Sequence, residues 1–246
     1  MKKEKIAAAS ASWQLIALLS TFMVAVAVGV IILYPQKSLP ILQPGDLNPA
    51  LVDSQDWSRE QHSIAAFDLI NHLGDTISKA DVIGDVLIVD FFFTRCATIC
   101  PIMTTNLSKV RDALEEGEGW KILSHSVTPE ADSVPVLRDY AHRMNAEHSN
   151  WWFLTGAKKE IYRLARRSYF ACYDEASGGD GGMQDFVHTE NVVLVDQQGR
   201  LRGFYDGTSE TSMNQLIEDC LWLLDEKKRK KKATDEIGRA SCRERV

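Results

Sequence analysis

Apolar residues recur along this chain in three spacings, and each predicts a different kind of element. The densest run, over 86–93, reads VLIVDFFF, with Asp90 the one polar interruption. A run so rich in β-branched and aromatic residues predicts a strand buried on both faces of a sheet. Just downstream, Ile102, Met103, Leu107, Val110 and Leu114 recur at helical spacing, and predict a helix ending near 116, where Gly117 and Gly119 follow. The same reasoning predicts strands at 121–127 and 151–154 and helices at 134–144, 158–171 and 211–226. Residues 191–195 and 201–205 flank a turn at 196–199 and predict an antiparallel hairpin. A shorter hairpin, 67–70 with 76–78 around Gly74, leads into the central strand.

Strand alternating with helix, closed by a hairpin and a last helix, is the thioredoxin-like α/β arrangement: a central mixed sheet flanked by helices, here with an N-terminal hairpin extension. The third spacing is no spacing at all. From residue 6 to residue 36 no charged side chain occurs, and 13–34 is long enough for one transmembrane helix, with Trp13 and Tyr34 as interfacial aromatics and Pro35 as its stop. A cleaved signal peptide fits less well, because its apolar region runs to about 7–15 residues and ends at a small-residue site. Lys2, Lys3 and Lys5 keep residues 1–12 in the cytoplasm and send the rest outward. The expected localisation is therefore a bacterial inner membrane crossed once, with the domain facing the periplasm. Residues 35–61, with Pro40, Pro44 and Pro49, read as a tether, and the folded domain as 62–226.

Composition changes little in this picture. The chain has 246 residues, 45% hydrophobic and 25% charged, with a net charge of −6, enough for one sizeable core plus appendages. The acidity argues against nucleic acid as a partner. One basic run, 227–232 within a tail of 227–235, reads as a solvated helix end, with contact to anionic lipid as the alternative. The closing stretch 236–246, EIGRASCRERV, resembles translated sequencing-adapter DNA and is set aside from the fold; Cys242 goes with it.

The candidate chemistry lies where the central strand meets its helix. Cys96 and Cys100 sit on that turn, with Pro101 suited to the first helical turn. Free N–H groups and the helix dipole there favour a thiolate, which is both nucleophile and metal ligand. In near-helical geometry the four-residue spacing lets the sulfurs share a metal ion or form a disulfide. Such soft donors suit Cu(I) and, less selectively, Zn. Buried small hydrophobes are the plainer reading, against which the polar Thr94, Arg95 and Thr98 count.

Cys172 and Cys220 read as core residues, although an outward-facing compartment would permit a disulfide between them. His62, His72, His142 and His148 read as surface residues, and His125 as either packed in its strand or lining the site. His188 lies between the glycine-rich 178–182 and the strand at 191, a point that adjoins the cysteine turn in a thioredoxin-like sheet. Reductases of that fold keep a cis-proline there, but the seven prolines of this chain end at Pro135. Residue chemistry leaves His188 open between metal ligand and ordinary loop residue.

DFFFTRCATICP at 90–101 resembles the Cys-x3-Cys-Pro signature of the SCO/SenC proteins, membrane-tethered copper chaperones for cytochrome c oxidase assembly. The likeness continues through LSHSV at 123–127 with Pro129 and Glu130, WFLTG at 152–156, FVHTEN at 186–191 and RGFYDG at 202–207. Ala97 departs from it, since many members carry proline there. The resemblance implies copper, Cu(I) or Cu(II), held by Cys96, Cys100 and His188, with the glycine-rich segment as a flap carrying His188. It implies the CuA-bearing oxidase subunit as partner, alongside another copper chaperone or a thioredoxin-like reductant.

Two functions compete. One is a metallochaperone delivering copper to the CuA site. The other is a thiol-disulfide reductase, with Cys96 and Cys100 as the redox pair, keeping the CuA cysteines reduced. The missing cis-proline and the three-residue spacer favour the chaperone. A peroxiredoxin-type peroxidase would need a threonine three residues before its cysteine, whereas Thr94 is two before Cys96.

Overall fold

The structure is a computed structural model that describes residues 19–26, 28–29, 38–47, 62–114, 118–172 and 189–243, with side chains up to 226. Two compact units are present, 1–38 and 39–246. In the first, residues 19–26 and 28–29 are helical and expose Leu19, Phe22 and Met23. The rest of the 13–34 span lies outside the described residues, and no helix among the described residues is long and apolar enough to cross a membrane.

The second unit is built on a seven-stranded mixed sheet. Its strands are β1 (Asp68–Asn71), β2 (Thr76–Ser78), β3 (Val86–Phe92), β4 (Trp120–Ser126), β5 (Trp151–Thr155), β6 (Asn191–Val195) and β7 (Leu201–Asp206), in the spatial order β2-β1-β5-β4-β3-β6-β7. The helices are α1 (Ile99–Leu114), α2 (Val134–Arg143), α3 (Lys158–Arg163) and α4 (Glu210–Arg243). As its composition demands, β3 is buried at every residue. It runs parallel to β4 and antiparallel to β6. Leu87, Val89 and Phe91 face one core, with Ile161, Tyr162 and Tyr169. Val86, Ile88 and Phe92 face the other, with Met103, Leu107, Leu137 and Leu216. Each such aliphatic side chain stabilises the fold by roughly 1.5–3 kcal/mol relative to its exposed state. The predicted hairpin of β1 and β2 forms, but at the sheet edge, where β1 pairs with β5.

Three stretches differ from the sequence reading. The helix expected over 158–171 stops at Arg163 and widens into a π turn, Leu164–Ser168. Tyr169 N–H reaches back to the Leu164 carbonyl and Ala171 N–H to that of Ala165. Phe170 then adopts a left-handed φ of 49°, and the widened turn buries Tyr169, Phe170 and Ala171 together. At the other end, α4 does not stop near 226 but continues through the basic run to Arg243.

The third stretch is the tether. Its described part packs onto the domain. Leu42 N–H donates to the Leu201 carbonyl at 2.9 Å, and Arg202 donates to the Pro40 and Leu39 carbonyls at 3.0 and 2.7 Å. Arg202 is itself held by the buried Asp196 at 2.9 Å. Residues 48–61 lie outside the described residues.

Candidate metal centre

Because β3 ends at Phe92 and α1 begins at Ile99, six residues make the turn between them. Cys96 N–H donates to the Phe93 carbonyl at 3.2 Å, folding the chain back on itself. Cys96 thus precedes the helix instead of belonging to it, while Cys100 and Pro101 occupy the first turn of α1. The sulfur of Cys96 accepts the Cys100 N–H at 3.4 Å and lies 3.6 Å from the Thr98 hydroxyl. Both cysteines are free and nearly covered, with 8% and 3% of their surfaces exposed.

The two thiols are electrostatically unlike. Burial resists ionisation of Cys96, but hydrogen bonds from the Cys100 backbone and thiol, and from Thr98, outweigh it and bring the thiol down to about 7. Burial lifts Cys100 to about 12 despite its bond at Phe93, and the neighbouring Cys96 and Asp90 charges add to the rise. Near neutral pH Cys96 is therefore partly ionised, while Cys100 stays a thiol.

Under the turn lie polar groups that the apolar pattern concealed. Asp90 is buried on β3 and accepts the Ser124 hydroxyl at 2.5 Å, while Ser124 also receives the Trp151 indole N–H at 2.9 Å. Burial raises Asp90 to about 7 against the hydrogen bonds from Ser124 and its own backbone. The Tyr140 hydroxyl lies 3.0 Å from that of Thr104, which donates to the Cys100 carbonyl at 2.9 Å. A single carboxylate in an otherwise apolar strand was the one available signal for Asp90. Nothing in spacing marked Tyr140.

The SCO1/SenC family model matches residues 55–225. The chain belongs to the SCO1/SenC family. The SCO1 protein homolog of Bacillus subtilis is 31% identical over 160 residues, covering 64% of this chain and 81% of the relative. BsSco, a solved member of the Sco family of cytochrome c oxidase assembly proteins with an identified disulfide switch, matches at 29% identity. Its TM-score is 0.56, with 69% of this chain and 98% of that one covered. Arabidopsis thaliana ScoI, solved with copper bound, shares the fold at a TM-score of 0.53 and 24% identity, covering 66% of this chain and 98% of that one.

In this SCO1/SenC chain the structure brings Cys96 and Cys100 together, while His188 lies outside the described residues. Among the described residues no group of three His, Cys, Asp or Glu side chains could hold a metal ion. The chain just past His188 is nonetheless tied down. Thr189 and Asn191 both donate to the Ala171 carbonyl, at 2.8 and 2.9 Å. Gly207 joins the Glu190 carbonyl to Asn106 of α1, through bonds of 2.8 and 2.9 Å. Strand β6 therefore starts against the helix that begins beside Cys100.

The other histidines and cysteines sort out plainly. His125 is packed in the core, stacked on Phe91 with centroids 5.1 Å apart. Phe91, its neighbour, faces the core opposite the cysteines. His72 is no surface residue: it is buried, and its Nδ1 accepts the Phe153 N–H at 3.3 Å. His62 is half-buried and donates to the Ser168 carbonyl at 2.8 Å; His148 is half-buried and stacked on Trp120. Of the four histidines read as surface, His142 is the exposed one. Cys172 and Cys220 belong to the two different cores, so the sheet separates them.

Proposed function

We propose that this chain is a membrane-anchored copper metallochaperone that delivers copper to the CuA site during cytochrome c oxidase assembly. The observation that carries the reading is the Cys96–Cys100 pair, two soft donors on one turn, one already near ionisation at neutral pH. Copper is the cargo. Cys96 takes it first as the available thiolate, and Cys100 follows by giving up its proton, because metal ligation requires deprotonated sulfur. His188 supplies the imidazole that completes a trigonal site; the tie from the Glu190 carbonyl through Gly207 to Asn106 of α1 supports that assignment. Release proceeds by ligand exchange, in which cysteines of the acceptor replace those of the donor one at a time.

Residues 13–34 would hold the chain in a bacterial inner membrane with its domain in the periplasm. There it would meet the CuA-bearing subunit and, upstream, another copper chaperone or a thioredoxin-like reductant. Assembly of the oxidase is the described role of BsSco. The test mixes the copper-loaded full-length chain with the reduced, metal-free CuA domain and follows CuA absorption. Transfer that fails with a Cys96→Ser/Cys100→Ser variant supports the reading. A CuA domain that stays empty beside the loaded wild type refutes it.

A second reading has its own observation. One activated thiol beside one buried thiol is the asymmetry a reductase needs. Cys96 thiolate would attack the acceptor disulfide, Cys100 would resolve the mixed disulfide, and the products would be two acceptor thiols and a Cys96–Cys100 disulfide. A thioredoxin-like dithiol would then restore the pair. Reduction of the CuA cysteines by the copper-free chain, with no copper transfer afterwards, would favour this reading over delivery.

A further inference from the structure

The loop after β4 carries Asp132, a fully buried carboxylate with no exposed surface. Its oxygens accept the Thr94 hydroxyl at 2.5 Å, the Thr94 N–H at 3.2 Å, the Ser126 hydroxyl at 2.5 Å and the Thr128 hydroxyl at 2.9 Å. One oxygen takes the Thr94 hydroxyl and the other takes the remaining three bonds, all from neutral donors. Hydrogen bonds to an ionised acceptor are short and roughly twice as strong as neutral ones.

The position of these bonds gives them a consequence. The β3–β4 ladder ends at the Phe92 and Ser126 pair, and one further bond, from Val127 N–H to the Phe92 carbonyl, closes it. Past that point Asp132 takes over as the link. It joins Ser126, the last residue of β4, to Thr94, two residues beyond β3 and two before Cys96. With Thr94 gripped at both its N–H and its hydroxyl, the adjoining Phe93 carbonyl is set to receive the Cys96 N–H, and the Cys96 sulfur to receive the Cys100 N–H.

We infer that Asp132 is a positioning residue for the cysteine pair, acting through Thr94 from the loop after β4. The part of this inference that concerns copper rests on the metallochaperone reading; the part that concerns the turn does not.

The experiment compares the full-length wild type with Asp132→Asn, Thr94→Val and Thr94→Ser. Val removes the hydroxyl at nearly constant shape, while Ser restores it. Asp196→Asn serves as a destabilised control, because that buried ion pair lies on the last residue beyond β6, at the opposite end of β3 from the cysteines. Two quantities are read: the alkylation rate of Cys96 in metal-free protein at pH 7, and Cu(I) affinity against a competing chelator. Asp132→Asn and Thr94→Val are expected to slow alkylation several-fold and to weaken Cu(I) binding about tenfold, the size seen when groups supporting metal ligands are changed. Thr94→Ser and Asp196→Asn should match wild type in both. The inference is overturned if Thr94→Val alkylates and binds as wild type does, or if Asp196→Asn shows the same losses. Should wild type bind no Cu(I), the copper reading fails alone, and alkylation still decides the role of Asp132.

Discussion

The Cys96 sulfur accepts the backbone N–H of Cys100 at 3.4 Å, so the second cysteine of the pair helps to ionise the first. Burial keeps Cys100 protonated, and the neighbouring Cys96 sulfur adds to the rise. This division of labour suits both a stepwise metal site and a stepwise thiol exchange.

The reactivity of the metal-free chain should show it directly. With a small alkylating reagent at pH 7–8, Cys96 is expected to be modified first, its rate rising with a midpoint of about 7, while Cys100 stays protected by burial. Peptide mapping by mass spectrometry checks the order. Equal labelling of both cysteines would contradict the asymmetry.

Asp90 should make stability fall with pH. Burial raises its folded-state value to about 7 from an ordinary 3.8, so its contribution is complete below about 4 and is lost as pH rises through 7. Relative to Asp90→Asn, which keeps an acceptor for Ser124, wild type should lose on the order of a few kcal/mol between pH 4 and 8. Urea unfolding at both pH values measures the difference; a constant difference would exclude the buried ionisation.

His125 works in the opposite sense. Burial lowers it to about 4 from 6.5, so the neutral ring contributes stability above the unfolded value, and that stability is lost as pH falls through about 4. His125→Phe, which keeps an aromatic ring against Phe91, should flatten the acid side of the stability profile. An unchanged acid slope would show that other groups cause it.

Arg202 should couple the 39–42 segment to the domain. Arg202→Met leaves Asp196 with Arg200 as its remaining ion-pair partner and frees the Leu39 and Pro40 carbonyls. A loss of about 2–3 kcal/mol is expected from the unsatisfied buried groups, with faster proteolysis near residue 40. Wild-type resistance to proteolysis would show that the segment is held without Arg202, by its apolar contacts and the Leu42–Leu201 backbone bond.

Much of this was legible in the sequence because it is periodic. The dense apolar run of β3, the helical stripe from Met103 to Leu114 and the 191–206 hairpin each reached the structure with their type intact and their ends displaced by a few residues at most. The paired cysteines were legible for the same reason, since strand and helix signals met between them. What spacing could not show was the set of long-range polar links: Asp132 to Thr94 across 38 positions, Arg202 to Leu39 across 163, Trp151 to Ser124 across 27. The early end of α3 was hidden too, because its continuation keeps Leu164, Ala165 and Tyr169 at core-facing positions and no glycine or proline marks the change into a π turn. His72 was misplaced because a polar neighbourhood in sequence became a buried one beside Phe153.

The measurement that bears most directly on the central claim is a Cu(I) titration of the reduced full-length chain against a competing chelator, with His188→Ala and Cys96→Ser/Cys100→Ser beside it. A copper site predicts tight one-to-one binding, abolished in the double cysteine variant and weakened at least tenfold without His188. No binding by the reduced wild type, with thiols that still reduce a CuA-type disulfide, would contradict it and leave a dedicated reductase.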